Sequence, residues 1–166
     1  AVSKAEAISK KKELYQHLGK KFLLPKPLMN IINGGAHADN NLRIQEFMIR
    51  PDSAKNFMEA VEKCFIVIQN LKKILHSKSL STNVGDEGGF APLINSNEEA
   101  LDLILEAIEK SKLKPGEDIS ICLDVAANEL INKNGQYSLN TTEFISVDDS
   151  INYYKNLVSQ YPIKSI

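Results

Sequence analysis

Short alternating apolar runs and longer stripes of helical period take turns along the chain, which predicts about four strands and four or five helices. Residues 3–18 are expected to be helical, with Ser3 and Glu6 spaced as a capping box and Gly19 as the stop. Their apolar positions, Ile8, Leu14, Tyr15 and Leu18, are too sparse for a strong core helix. Residues 20–27 read as a linker, because Pro25 and Pro27 exclude helix. A strand over 28–32 runs into the turn Asn33-Gly34-Gly35. A second strand over 43–50 puts Ile44, Glu46 and Met48 on one face and Gln45, Phe47 and Ile49 on the other. A glutamate between two apolar residues on one face suits either an exposed edge strand or a site.

The longest helix is predicted over 53–76, where Phe57, Val61, Cys64, Ile68, Leu71 and Leu75 step along one face, widened by Phe65 and Val67. A second starts at Ser96 with Glu99 completing a capping box, buries Leu101, Ile104, Leu105 and Ile108, and is closed by Pro115-Gly116. The third strand, 119–124, alternates Ile119, Ile121 and Leu123 with Ser120, Cys122 and Asp124. Small residues on one face ending in an acid suit the inside of a crowded barrel, where a strand-end acid reads as catalytic or metal-binding. A helical turn over 126–130, a turn at Asn134-Gly135, a helix over 147–161 with Ile151, Tyr154, Leu157 and Val158 as its stripe, and a last apolar segment from Ile163 follow. These elements make up half of the eight-strand closure that takes about 250 residues.

Composition narrows the class. With 43% hydrophobic and 25% charged residues, the 166-residue chain has the make-up of a soluble globular domain. A net charge of -1 offers no basic field, so neither nucleic acid nor an anionic membrane is expected as a partner. The basic N-terminus lacks an apolar core segment and is not expected to be a secretory signal. Cys64 and Cys122 lie in apolar runs, which suits buried reduced thiols and a cytoplasmic protein.

The chemistry gathers around NVGDEGGFAP at residues 83–92, where Asp86 and Glu87 stand side by side between glycines. Adjacent carboxylates repel, so one is expected to hold its proton toward neutrality, as a general acid must. The plain alternative is a glycine-rich surface turn with solvated acids. Three more polar sites end apolar elements: Asn33-Gly34-Gly35 with His37, Gln45-Glu46, and Asp124. Singly each is weak, since a lone histidine is more often a surface group and a strand-end aspartate more often a helix cap.

Together, MNIINGGAHADNN, QEFMIRP, NVGDEGGFAP, EEALDLILEAI, LDVAANE and YPIKSI resemble the enolase family closely, over the whole chain. The resemblance implies an α/β fold, a partial enolase-type TIM-like barrel whose first two strands are antiparallel, followed by two helices and then βα units. Residues 1–24 would end the N-terminal lid domain, and 25–166 would form the first half of the barrel domain. It further implies dehydration of 2-phosphoglycerate to phosphoenolpyruvate with two Mg2+ ions, in an intact protein that is a homodimer or larger. By similarity Glu87 is the general acid for the departing hydroxyl, and Glu46 helps to hold that hydroxyl or water. Gln45 and His37 would bind substrate, and Asp124 would be one of three carboxylates on the tighter metal. The short link from Asn33 to Leu42 fits a hairpin-like reversal better than a parallel crossover, in accord with the family topology.

Asn128 and Leu130 stand where the family usually has a serine and an aromatic. The general-base lysine, two further metal carboxylates and the phosphate-binding residues of the family have no counterpart in these residues. The chain is therefore expected to be a fragment of a longer enolase and inactive alone. Two other readings are a truncated enolase-like chain that acts as a binding or scaffold protein, and another enzyme of the enolase superfamily.

Overall fold

The computed structural model describes residues 1–21, 23–139 and 143–166. Its frame is one sheet in the order β1 (Met29–Asn33), β2 (Glu46–Arg50), β3 (Ser120–Asp124) and β4 (Ile163–Ser165). β1 and β2 are antiparallel, as are β2 and β3, whereas β3 and β4 are parallel. The reversal between β1 and β2 carries only a 3-10 turn, Gly35–His37, which is too short for a crossover. β2 lies between two partners, which removes the edge-strand explanation for Glu46.

The period of two then sorts the side chains. Phe47 and Ile49 stand across from Leu123 and Ile121, and all four are buried. Glu46, Met48 and Arg50 stand across from Asp124, Cys122 and Ser120 on the opposite face. Packed on the apolar face are α3 (Phe57–Ser77) and α4 (Asn97–Lys110), which are also neighbours of each other. At about 25 cal/mol per Å2 of apolar surface removed from water, this face supplies most of the driving force for folding.

Several boundaries differ from expectation for local reasons. Helix α3 starts after Asn56 because its side chain accepts from the Glu59 N–H at 2.9 Å, while Ser53 Oγ donates to Asp118 instead. Its buried row is Ala60, Cys64, Val67, Leu71, Ile74 and Leu75. Phe57 and Phe65 are 44% and 58% exposed, since the sheet and α4 cover a narrower stripe than the sequence offers. The first predicted helix is two: α1 (Val2–Ser9) and α2 (Leu14–Leu18). Lys11 adopts φ 49°, and the Lys12 N–H reaches back to Ala7 O at 3.0 Å, closing α1 with the two bonds of a Schellman turn. Ser3 lies inside α1 and caps nothing; the box is instead Glu13 with Gln16. Ser96 caps α4 as expected, but Glu99 reaches back to the Asn95 N–H, one residue early. Leu105 of α4 is only partly buried.

The last helix, α5 (Val147–Gln160), buries Leu157 but leaves Ile151 and Val158 about half exposed, because none of the described residues packs over them. Both cysteines are buried and free. Among the described residues no helix is long and apolar enough to cross a membrane.

Candidate active site

Three chain segments meet at one end of the sheet. Glu46 opens β2 and Asp124 closes β3; they are register partners on antiparallel strands, so their side chains leave the same face. Asn33, the last residue of β1, is the register partner of Glu46 on its other side. The loop carrying Glu87 is tied to the same place: Asn33 N–H donates to Phe90 O at 2.9 Å, and Phe90 N–H donates to Ile31 O at 2.9 Å. The loop also closes on itself, Gly85 N–H to Gly89 O at 2.8 Å, while Asp86 N–H reaches His37 O at 3.1 Å.

This ladder brings ligand atoms of His37, Glu46 and Glu87 within 4.8 Å of one another. His37 Nδ1 lies 3.4 Å from Glu87 Oε1, an electrostatic contact without hydrogen-bond alignment. Asn30 Nδ2 donates to Glu87 Oε2 at 3.4 Å. Asp124 Oδ1 accepts from the Ala126 N–H at 3.0 Å, so it steadies its own turn as a strand-end aspartate can, and its side chain is otherwise exposed.

The proton settles on the partner that the motif did not suggest. Partial burial raises Glu46 to about 7, helped by a hydrogen bond with and repulsion from Glu87 and by the charge of Asp124, against His37. Glu87 is lowered, first by that hydrogen bond from Glu46 and then, against some desolvation, by His37 and Asn30. The raised carboxyl expected within Asp86-Glu87 thus falls on Glu46, across two elements, while Glu87 is lowered. The reason is exposure: Glu87 sits on an open loop beside a histidine and an amide, whereas Glu46 sits between two strands.

A pH dependence follows. Because Glu46 binds its proton more tightly folded than unfolded, that stabilisation is complete below the ordinary value of 4.5 and is lost as pH rises through about 7. The lowered Glu87 acts in the other direction, but below 4.5, outside that window. The thermal midpoint of the chain is expected to fall between about pH 5 and about pH 8, and Glu46→Gln should flatten that fall. An equally steep fall in the variant would remove Glu46 as its cause.

Gln45 lies on the wall of a 350 Å3 cavity that it shares with Arg43, Val125 and Glu129 and that the triplet does not line. That cavity opens beside the loops following β1 and β3, at the same end of the sheet. Leu130 is buried there and Asn128 is exposed. Asn30 escaped the sequence reading, and the side chain of Asn33, which the sequence placed in a polar turn, was given no role of its own. Asn33 read as a turn former, and only its place opposite Glu46 shows otherwise. Short polar side chains at the end of an apolar run were the available signal.

Comparison with known proteins adds an independent line. The family model for the enolase C-terminal TIM barrel domain matches residues 21–166. An enolase of Pelagibacter ubique (strain HTCC1062) is 65% identical over 145 residues, covering 87% of this chain and 34% of the relative. The chain therefore spans about a third of the length of the curated relative it matches.

Proposed function

The chain belongs to the enolase family, and from that premise we propose that it supplies the acid side of the active site in a longer enolase. The reaction is the dehydration of 2-phosphoglycerate to phosphoenolpyruvate, a glycolytic hydro-lyase step. Residues 25–166 would form the first half of the barrel and 1–24 the end of the preceding lid domain. The observation that carries this reading is the convergence of Glu46, Glu87 and His37 within 4.8 Å at the sheet end where Asp124 faces Glu46.

Glu87, exposed on its loop, reaches the substrate hydroxyl. The proton that Glu46 holds passes along its hydrogen bond to Glu87 and from Glu87 to that oxygen as the C–O bond breaks; water leaves, and both glutamates end as carboxylates. Glu46 orients the hydroxyl and keeps the pair protonated near neutrality. His37 and Gln45 contact the substrate from the loops around it. Asp124 offers a hard carboxylate oxygen with one lone-pair direction spent on Ala126, which suits Mg2+. A cation held there would offset negative charge developing on the substrate. Glu46 and Glu87 are hydrogen-bonded to each other, whereas the Asp124 carboxylate is open, so Asp124 fits the metal role better than that triplet does. The buried free thiols Cys64 and Cys122 favour a reducing cytoplasm, where the intact protein would assemble as a homodimer or larger.

The test is to purify the full-length polypeptide and follow phosphoenolpyruvate formation with Mg2+, with the 166-residue chain assayed beside it. Turnover by the former and none by the latter is expected. A folded full-length protein without turnover would overturn the reading, and turnover by the short chain would show that the base lies within it.

A further inference from the structure

Asn33 is 0% exposed, yet neither of its amide atoms has a protein hydrogen-bond partner. Leaving such a group unpaired in the interior is costly, and an apolar side chain of similar shape would avoid the cost.

Its surroundings give the answer. Across the β1–β2 ladder it faces Glu46. On its other side the loop bearing Glu87 lies directly on the amide. A methyl group added at Gly85 would sit 2.8 Å from Asn33 Cβ and 3.0 Å from its Cγ, and one at Gly89 would sit 2.5 Å from its Oδ1. Its main chain closes the arrangement, donating to Phe90 O at 2.9 Å and accepting from Asn40 Nδ2 at 2.9 Å in the His37 loop. One side chain thus stands beside Glu46 in the ladder and beneath the loop that carries Glu87.

We propose that Asn33 is a positioning residue that sets the separation between the Glu46 and Glu87 carboxyl groups, acting as a spacer under the 85–89 loop. This rests on the functional reading above. In that reading the pair works by passing one proton, and a displacement of about 1 Å can cost about a hundredfold in rate. The spacer works by shape, so a branched side chain of similar outline should replace it and a small one should not.

The full-length protein is the material for the test, with Asn33→Ala and Asn33→Leu compared by steady-state kinetics and thermal unfolding. Asn33→Ala should fold and lose about ten- to a hundredfold in kcat, with KM moving less than about threefold. Asn33→Leu should hold kcat within about threefold of the unsubstituted protein. If Leu overfills the site and the variant does not fold, Asn33→Thr, which is smaller and branches at Cβ where Asn and Leu branch at Cγ, takes its place. Unchanged kcat in Asn33→Ala overturns the proposal, as does equal loss in the Ala and branched variants, which would assign the role to the amide's chemistry. Absence of turnover in the unsubstituted protein would instead sink the functional reading. Spacing would then be judged from crystal structures of the 166-residue chain and its Asn33→Ala variant. A Glu46–Glu87 separation altered by about 0.5 Å or more supports the spacer, and an unaltered one removes it.

Discussion

Glu87→Gln in the full-length polypeptide is expected to lower kcat by about 10²- to 10⁴-fold, the range that a positioned proton donor contributes. Gln keeps the length and the contact with Asn30 but cannot carry a transferable proton. It also removes the charge that helps to raise Glu46, so the Gln amide can still hydrogen-bond Glu46 while no proton is passed on. Folding should be little affected, because Glu87 lies on an exposed loop held by main-chain bonds that its side chain does not make. Steady-state kinetics beside circular dichroism separates the two quantities. A folded variant within tenfold of normal kcat would transfer the acid role to Glu46.

The second large effect belongs to the core. Phe47→Ala in the 166-residue chain is expected to cost about 3–5 kcal/mol. Phe47 is wholly buried in the central strand, opposite Leu123 and beside Ile32, under the helices that cover the sheet. Removing the ring leaves a cavity that two flanking strands and two helices cannot all close. A typical domain has only about 5–15 kcal/mol in hand, so the variant should unfold at markedly lower urea. A shift equivalent to less than about 1 kcal/mol would show that this face of β2 is loosely packed. The position also matters to the chemistry, since Phe47 fixes the strand on which Glu46 is the neighbouring residue.

The same residues show where reading along the chain was adequate. Phe47 and Ile49 alternate with Glu46 and Met48 in the letters, and the sheet keeps that alternation with burial to match. The acids were also recognisable, because each ends an apolar run or sits in a glycine frame, and because their strings together resemble one family. The stripes on α3 and α5 were less reliable. Periodicity identifies a face able to be buried, but Phe65 and Val158 stay exposed because burial needs a partner element, which a helix's own sequence does not contain. The break at Lys10–Lys12 was hidden for another reason: Lys11 takes the left-handed position with no glycine to announce it.

Local order, by contrast, cannot say which of two acids keeps a proton. Asp86 and Glu87 are neighbours in sequence, yet the pair whose contact raises one carboxyl and lowers the other is Glu46 and Glu87, drawn together by an antiparallel ladder and a loop laid over its end. The order of residues by itself determined the strands, the two helices α3 and α4 with the cap of the second, and the buried thiols, since each depends on nearby side chains and their period. Only tertiary structure decided that β2 is an inner strand, that Asn33 underlies the site, and that Glu46 rather than Glu87 is the raised carboxyl. Each of those depends on distance and solvent exposure between segments tens of residues apart, quantities to which spacing along the chain is blind.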